Sequence, residues 1–139
     1  MTCEIICVGT EILLGNIVNT NAKYLSEKCA EFGLILYYQE VVGDNPKRLE
    51  EAVKQAISRS DIIIFSGGMG PTTDDLTKEV VSKTFGLKLV MDERAKAELE
   101  ARMNLFGHKI TDNNYKQAMI PEGQRALYNQ LTTAHEGLK

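Results

Sequence analysis

At 139 residues, with 43% hydrophobic and 25% charged side chains, the chain has the size and make-up of one globular domain, spanning 1–139. A formal charge of −3 argues against a nucleic-acid partner, because such binders need a basic surface to displace counterions from phosphates. No apolar run approaches the roughly 20 residues of a membrane helix, and Met1–Val8 carries no basic leader, so the expectation is a cytoplasmic protein with no membrane partner.

In chain order, residues 3–8 form an apolar run closed by Gly9, the pattern of a strand buried on both faces. From Asn19 the period becomes helical: Ala22, Leu25, Cys29 and Phe32 share a stripe, Asn19 or Thr20 caps the start, and Gly33 supplies the stop. Leu34–Val42 is again extended and ends at Gly43-Asp44-Asn45-Pro46, where Asn45 can cap and Pro46 can take the first helical position. The helix from Pro46 to Arg59 is expected to bury Leu49, Val53, Ala56 and Ile57. Its charged residues, Arg59 included, are expected to face water. Asp61–Phe65 is the most strand-like run and opens directly into Ser66–Asp75.

Beyond that loop the pattern predicts a helix from Asp74 or Asp75 to Phe85, a short strand at Leu87–Val90, and a helix capped by Asp92 that runs through Phe106. The buried stripe of this last helix is Ala95, Leu99, Met103 and Phe106. Thr111–Ala118 reads as a further helical segment ending before Pro121. Cys3 and Cys7 share one strand face and lack the companions of a zinc site, so the three cysteines are read as reduced, buried thiols. His108 and His135 match no metal-ligand spacing and are set aside.

Strands alternating with helices imply a three-layer α/β/α fold with a mostly parallel sheet, which binds ligands beyond the carboxyl ends of its strands. The loops due there are 9–18, 42–45 and 66–75. Gly67, Gly68 and Gly70 clear side chains from the longest of them, so that backbone N–H groups can approach an anion, and Thr72 and Thr73 add hydroxyls. The positive end of the following helix dipole would assist. Asp74 and Asp75 read either as caps of that helix or as ligands for Mg²⁺ on a pyrophosphate; Glu11 and Asp44 read as turn residues or as metal ligands. Asn19 either starts its helix or presents its amide to a base or ribose, and Gly9 and Thr10 open the first loop. Residues 9–15 lack the lysine of a P-loop, and Gly68-Met69-Gly70 lacks the third glycine of a dinucleotide fingerprint.

Taken together, Gly9-Thr10-Glu11-Ile12-Leu13-Leu14-Gly15, Asn19-Thr20-Asn21, Val42-Gly43-Asp44, the run from Ser66 to Thr77, and Asn113-Asn114 with Lys116-Gln117-Ala118 and Pro121 closely resemble the amino-terminal domain of the CinA family. The resemblance implies the MoaB/Mog fold, a nucleotide or pterin ligand, and a site at Gly67, Gly68, Gly70, Thr72 and Asp75, with Asp44 as a second functional acid. It also implies hydrolysis of the pyrophosphate of ADP-ribose assisted by a divalent metal such as Mg²⁺. In that mechanism Asp44 and Asp75 are the catalytic, metal-holding acids, the glycine loop positions the pyrophosphate, and water attacks phosphorus. The alternatives are a molybdopterin-binding or adenylyl-transfer protein of molybdenum-cofactor assembly and a non-catalytic binding subunit or remnant. Asn129–His135 departs from the family pattern of Asn followed by Gly-Thr-Ala-Pro-Gly. The chain is therefore expected to be truncated or divergent at its carboxyl end, with a missing strand supplied by a homo-oligomer or left as an exposed edge.

Overall fold

Thr2–Val8 forms the central strand β1, and every residue from Cys3 to Val8 is buried. In this computed structural model, which describes residues 1–127, β1 lies between β2 (Ile35–Val42) and β3 (Ile62–Ser66), both parallel to it, giving the order β2-β1-β3. Side chains alternate across a strand, so β1 serves two layers. Ile5 and Cys7 form an apolar cluster with Ala22 of helix α2 (Thr20–Glu31), against which Leu25, Leu36 and Ile64 pack. Cys3 joins that face, its Sγ lying 3.6 Å from Sγ of Cys29 on α2. The opposite face, carrying Glu4, is met by helix α3 (Pro46–Arg59), whose Arg59 binds the Glu4 carboxylate. A helix on each face of a parallel sheet is the expected α/β/α arrangement.

Local chemistry sets most of the helix boundaries. The Asn19 Oδ1 atom accepts from the Ala22 N–H to open α2, and Asn45 does the same for Arg48 ahead of Pro46 at the start of α3. Phe32, placed on the buried stripe by its spacing, is 78% exposed, because it follows the last turn of α2, where the chain already leaves the sheet. On α3 the buried residues are Leu49, Ala52, Val53 and Ala56; Ile57, expected inside, is 42% exposed, and Ala52 takes up the stripe. Arg59, expected in water, turns inward to Glu4.

The backbone divides into two compact units within the glycine run, between Gly68 and Met69. The second unit holds α4 (Thr77–Thr84), β4 (Leu89–Met91), α5 (Glu93–Leu105), the single-turn α6 (Asp112–Tyr115), a 3₁₀ turn (Lys116–Ala118) and β5 (Met119–Pro121). Strand β4 starts later than its sequence suggested and pairs antiparallel with β5, Val90 opposite Ile120. Asp92 caps α5 by accepting from the Ala95 N–H. Ala95 and Leu99 of α5 form a core with Ala118, and Met103 packs against it; Phe106, expected there, is exposed just past the helix end. Helix α4 begins at Thr77, not at Asp74 or Asp75, for a reason that lies in the loop. The altered stretch Asn129–His135 falls outside the described residues, as does His135.

Candidate functional site

In the first unit, the loops after the three parallel strands are tied together. The Gly9 N–H donates to the Val42 carbonyl at 2.9 Å, so the ends of β1 and β2 leave the sheet side by side. The Thr10 N–H donates to Asp44 Oδ2 at 2.9 Å, and the Asp44 N–H donates back to Thr10 Oγ1 at 3.1 Å. This reciprocal pair fixes an exposed carboxylate at the sheet's carboxyl edge. Gly67, at φ 92°, lies so close to β1 that a Cβ would come within 2.1 Å of the Val8 carbonyl oxygen, and Gly68 also has positive φ. Glycine is required at Gly67 by both conformation and space. Asn21 Nδ2 donates to Ser66 Oγ at 3.0 Å, joining the start of α2 to the end of β3.

Of the residues singled out in this unit, Gly9, Thr10, Asp44, Gly67 and Gly68 thus occupy the loops at the carboxyl ends of the parallel strands. Glu11 lies on the single-turn helix α1 (Thr10–Leu13), and its carboxylate fills the space beside Gly9 that a Cβ would need. Asn19 uses its Oδ1 as the cap of α2, the structural one of its two readings.

In the second unit, the loop is organised around Asp75. Its Oδ2 accepts from the Thr72 N–H at 2.8 Å and from Thr72 Oγ1 at 2.6 Å, and the Gly70 N–H donates to the same carboxylate. Gly70 leaves that space open, since a Cβ there would meet Asp75 Oδ2 at 2.6 Å. The carboxylate therefore folds back on its own loop and does not cap α4, which starts behind Leu76 with no side-chain cap. Asp74 is exposed in the turn. The helix dipole thus begins further along the chain than the sequence implied. Partial burial acts to raise the Asp75 carboxyl, but the bonds from Thr72 and Gly70 and the charge of Lys116 outweigh it, leaving Asp75 below the usual carboxylate range.

Two lysines complete this loop, and sequence reasoning gave neither a role. Lys116 Nζ donates to the carbonyls of Thr72, at 3.2 Å, and Asp75, and pairs with Glu79 Oε1 at 3.1 Å. Lys78, 6% exposed on α4, donates to the carbonyls of Lys116, Gln117 and Met119. In the sequence Lys116 stands out only as part of the Lys-Gln-Ala block, and the 41 residues separating it from Asp75 leave no periodic signal. For a metal, the described residues contain no group of three or more His, Cys, Asp or Glu side chains placed to hold one ion. Magnesium commonly uses only one or two protein carboxylates plus substrate phosphates, and each unit offers one carboxylate held by its own loop, Asp44 in the first and Asp75 in the second.

Comparison with known proteins places this architecture. Residues 4–131 match the family described as "Probable molybdopterin binding domain". A crystal structure of the protein CinA, of unknown function, from Thermoplasma acidophilum is 35% identical, with a TM-score of 0.86 over 96% of this chain and 78% of that one. The chain belongs to the CinA family.

A protein named as competence-damage inducible in Caldicellulosiruptor bescii is 52% identical over 134 residues, or 96% of this chain. A CinA-like protein of Dictyoglomus thermophilum is 49% identical over the same length. The chain spans about one third of the length of these curated relatives, 33% in each case. The molybdopterin biosynthesis enzyme MoaB of Thermus thermophilus, 21% identical with a TM-score of 0.57 over 86% of this chain, shares the fold. The MoaB/Mog-like α/β fold is thereby established. Among the described residues, no helix is long and apolar enough to cross a membrane.

Proposed function

We propose that this chain is a nucleotide-binding domain that hydrolyses the pyrophosphate of ADP-ribose with the help of a divalent cation. The observation that carries the reading is the reciprocal Thr10–Asp44 bonding between the loops that follow β1 and β2. It sets a carboxylate beside glycine turns at the edge where parallel α/β sheets bind ligands. The positive-φ turn at Gly67 and Gly68 carries no side chain to hold a diphosphate away from main-chain N–H groups, and Thr10 holds Asp44 in one orientation. In the second unit Thr72 and Gly70 do the same for Asp75. Asp44 in the first unit and Asp75 in the second are each assigned as a carboxylate able to meet a cation such as Mg²⁺, which would supply Lewis-acid charge to phosphoryl oxygens when bound. Water adds to one phosphorus and the bridging P–O bond breaks, releasing AMP and ribose 5-phosphate.

The test is AMP release from ADP-ribose by the purified chain, with and without Mg²⁺. Asp75→Asn, with its circular dichroism unchanged, is expected to abolish turnover; undiminished hydrolysis by that variant would sink the assignment. A second reading, pterin binding or adenylyl transfer in molybdenum-cofactor assembly, is favoured by the description of the matching family and by the fold shared with MoaB. Titration calorimetry with ADP-ribose, ATP and a pterin separates the two, and binding of none would favour a non-catalytic subunit.

A further inference from the structure

In the second unit the ammonium of Lys116 bonds the glycine-rich loop's own carbonyls, those of Thr72 and Asp75. Its place is set from behind, since Lys78, buried on α4, binds the carbonyl of Lys116 at 3.0 Å and that of Met119 at 2.8 Å. Glu79 adds a third contact: its Oε1 pairs with Lys116, while its Oε2 is buried with no hydrogen-bond partner. The ammonium is therefore fixed by its surroundings and is a poor candidate for a side chain that swings freely toward a ligand.

A trans peptide sets each carbonyl antiparallel to the N–H of the next residue. Drawing the carbonyls of Thr72 and Asp75 toward Lys116 therefore turns the N–H groups of Thr73 and Leu76 away from it. The Asp75 carboxylate meanwhile gathers the donors of Gly70 and Thr72. We propose that Lys116 is a positioning residue: it sorts the loop into a carbonyl side, neutralised by its own ammonium, and an N–H side available to an anionic ligand. The proposal deepens the nucleotide-binding reading and rests on it only for the identity of the ligand. An acidic chain can hold phosphate in this way with a lysine that never touches it, because oriented amides supply the positive field.

The experiment compares the whole chain with Lys116→Met, Lys116→Gln and Lys116→Arg. Backbone amide exchange without ligand is expected to quicken about tenfold within residues 72–76 at the bonded N–H groups of Thr72 and Asp75 in the Met and Gln variants, with amides elsewhere in the chain unchanged, and to return toward native rates in the Arg variant. Unchanged exchange at 72–76, or uniform quickening across the chain, overturns the proposal. ADP-ribose with Mg²⁺ is the binding probe: Lys116→Met is expected to weaken it about tenfold, by the same factor at low and high salt. A loss that vanishes at high salt would instead mark a direct charge contact and overturn the positioning role. Failure of the native chain to bind ADP-ribose would count against the proposed function, while the exchange result would still decide the role of Lys116.

Discussion

Removing the Glu4 side chain tests how the first unit is held together. Glu4 is fully buried on β1, accepts from Arg59 Nε at 3.0 Å, from Arg59 Nη2 at 2.5 Å and from Ser60 Oγ at 2.9 Å. Arg59 also pairs with Glu40 at 2.6 Å and lies 3.6 Å over the Tyr38 ring. Breaking a buried pair by deleting one partner costs about 3–5 kcal/mol. Glu4→Ala belongs at the lower end, about 3 kcal/mol, because Arg59 is 21% exposed and keeps Glu40. With a urea m-value of about 1.5 kcal/mol/M, the unfolding midpoint should fall by about 2 M. Arg59→Leu should be worse, since it strands the fully buried charge and leaves it only Ser60. The double variant Glu4→Leu/Arg59→Leu, with neither charge left, should recover part of that loss. Urea unfolding followed by circular dichroism gives all three midpoints. The reasoning fails if Glu4→Ala costs under about 1 kcal/mol, or if Arg59→Leu proves milder than Glu4→Ala.

Gly67→Ala should destabilise the chain by more than about 1 kcal/mol, lowering the thermal midpoint by at least about 3 °C, since the new Cβ would collide with the Val8 carbonyl; a native midpoint would refute the close approach. Cys3, Cys7 and Cys29 are all buried and free, and burial, followed by the hydrogen bond with Cys29, pushes the Cys3 thiol up to about 11. Cys3 should therefore resist a thiol reagent near pH 8 in the folded chain and react once it is unfolded, and rapid native labelling at Cys3 would contradict this. The Asp61 carboxyl is held below its usual range by the Thr2 N–H and hydroxyl. Its stabilising contribution is therefore present above the unfolded value of about 3.9 and is lost as pH falls through the lower folded value. A side-chain NMR titration should find the midpoint lowered from the ordinary carboxylate range, and Thr2→Val, retaining the N–H but not the hydroxyl, should move it part of the way back.

Elements whose cause is local were legible in the chain alone. The run before Gly9 had to be a buried strand, and Asn45-Pro46 marked the start of α3 because a cap and a fixed φ act within three residues. The three loops at the carboxyl ends of the parallel strands followed from strand–helix alternation, and so did the glycines that line them. Periodicity misjudged the ends of elements: Phe32 and Phe106 keep the helical spacing but fall where the helix has ended, and both are exposed. Spacing could not place Arg59 either, because its inward turn is set by Glu4, 55 residues away.

Tertiary structure alone decided the chemistry of the glycine-rich loop. An acid next to a helix start reads as a cap, yet Asp75 is held by Gly70 and Thr72 and leaves α4 to begin at Thr77. The lysine that orders that loop arrives from a distant turn and is itself placed by a buried lysine on α4. Sequence determines such features only through packing: a hydrogen bond between residues about 40 positions apart has no period, so the groups that orient a site become visible only when the fold brings them within 3 Å of one another.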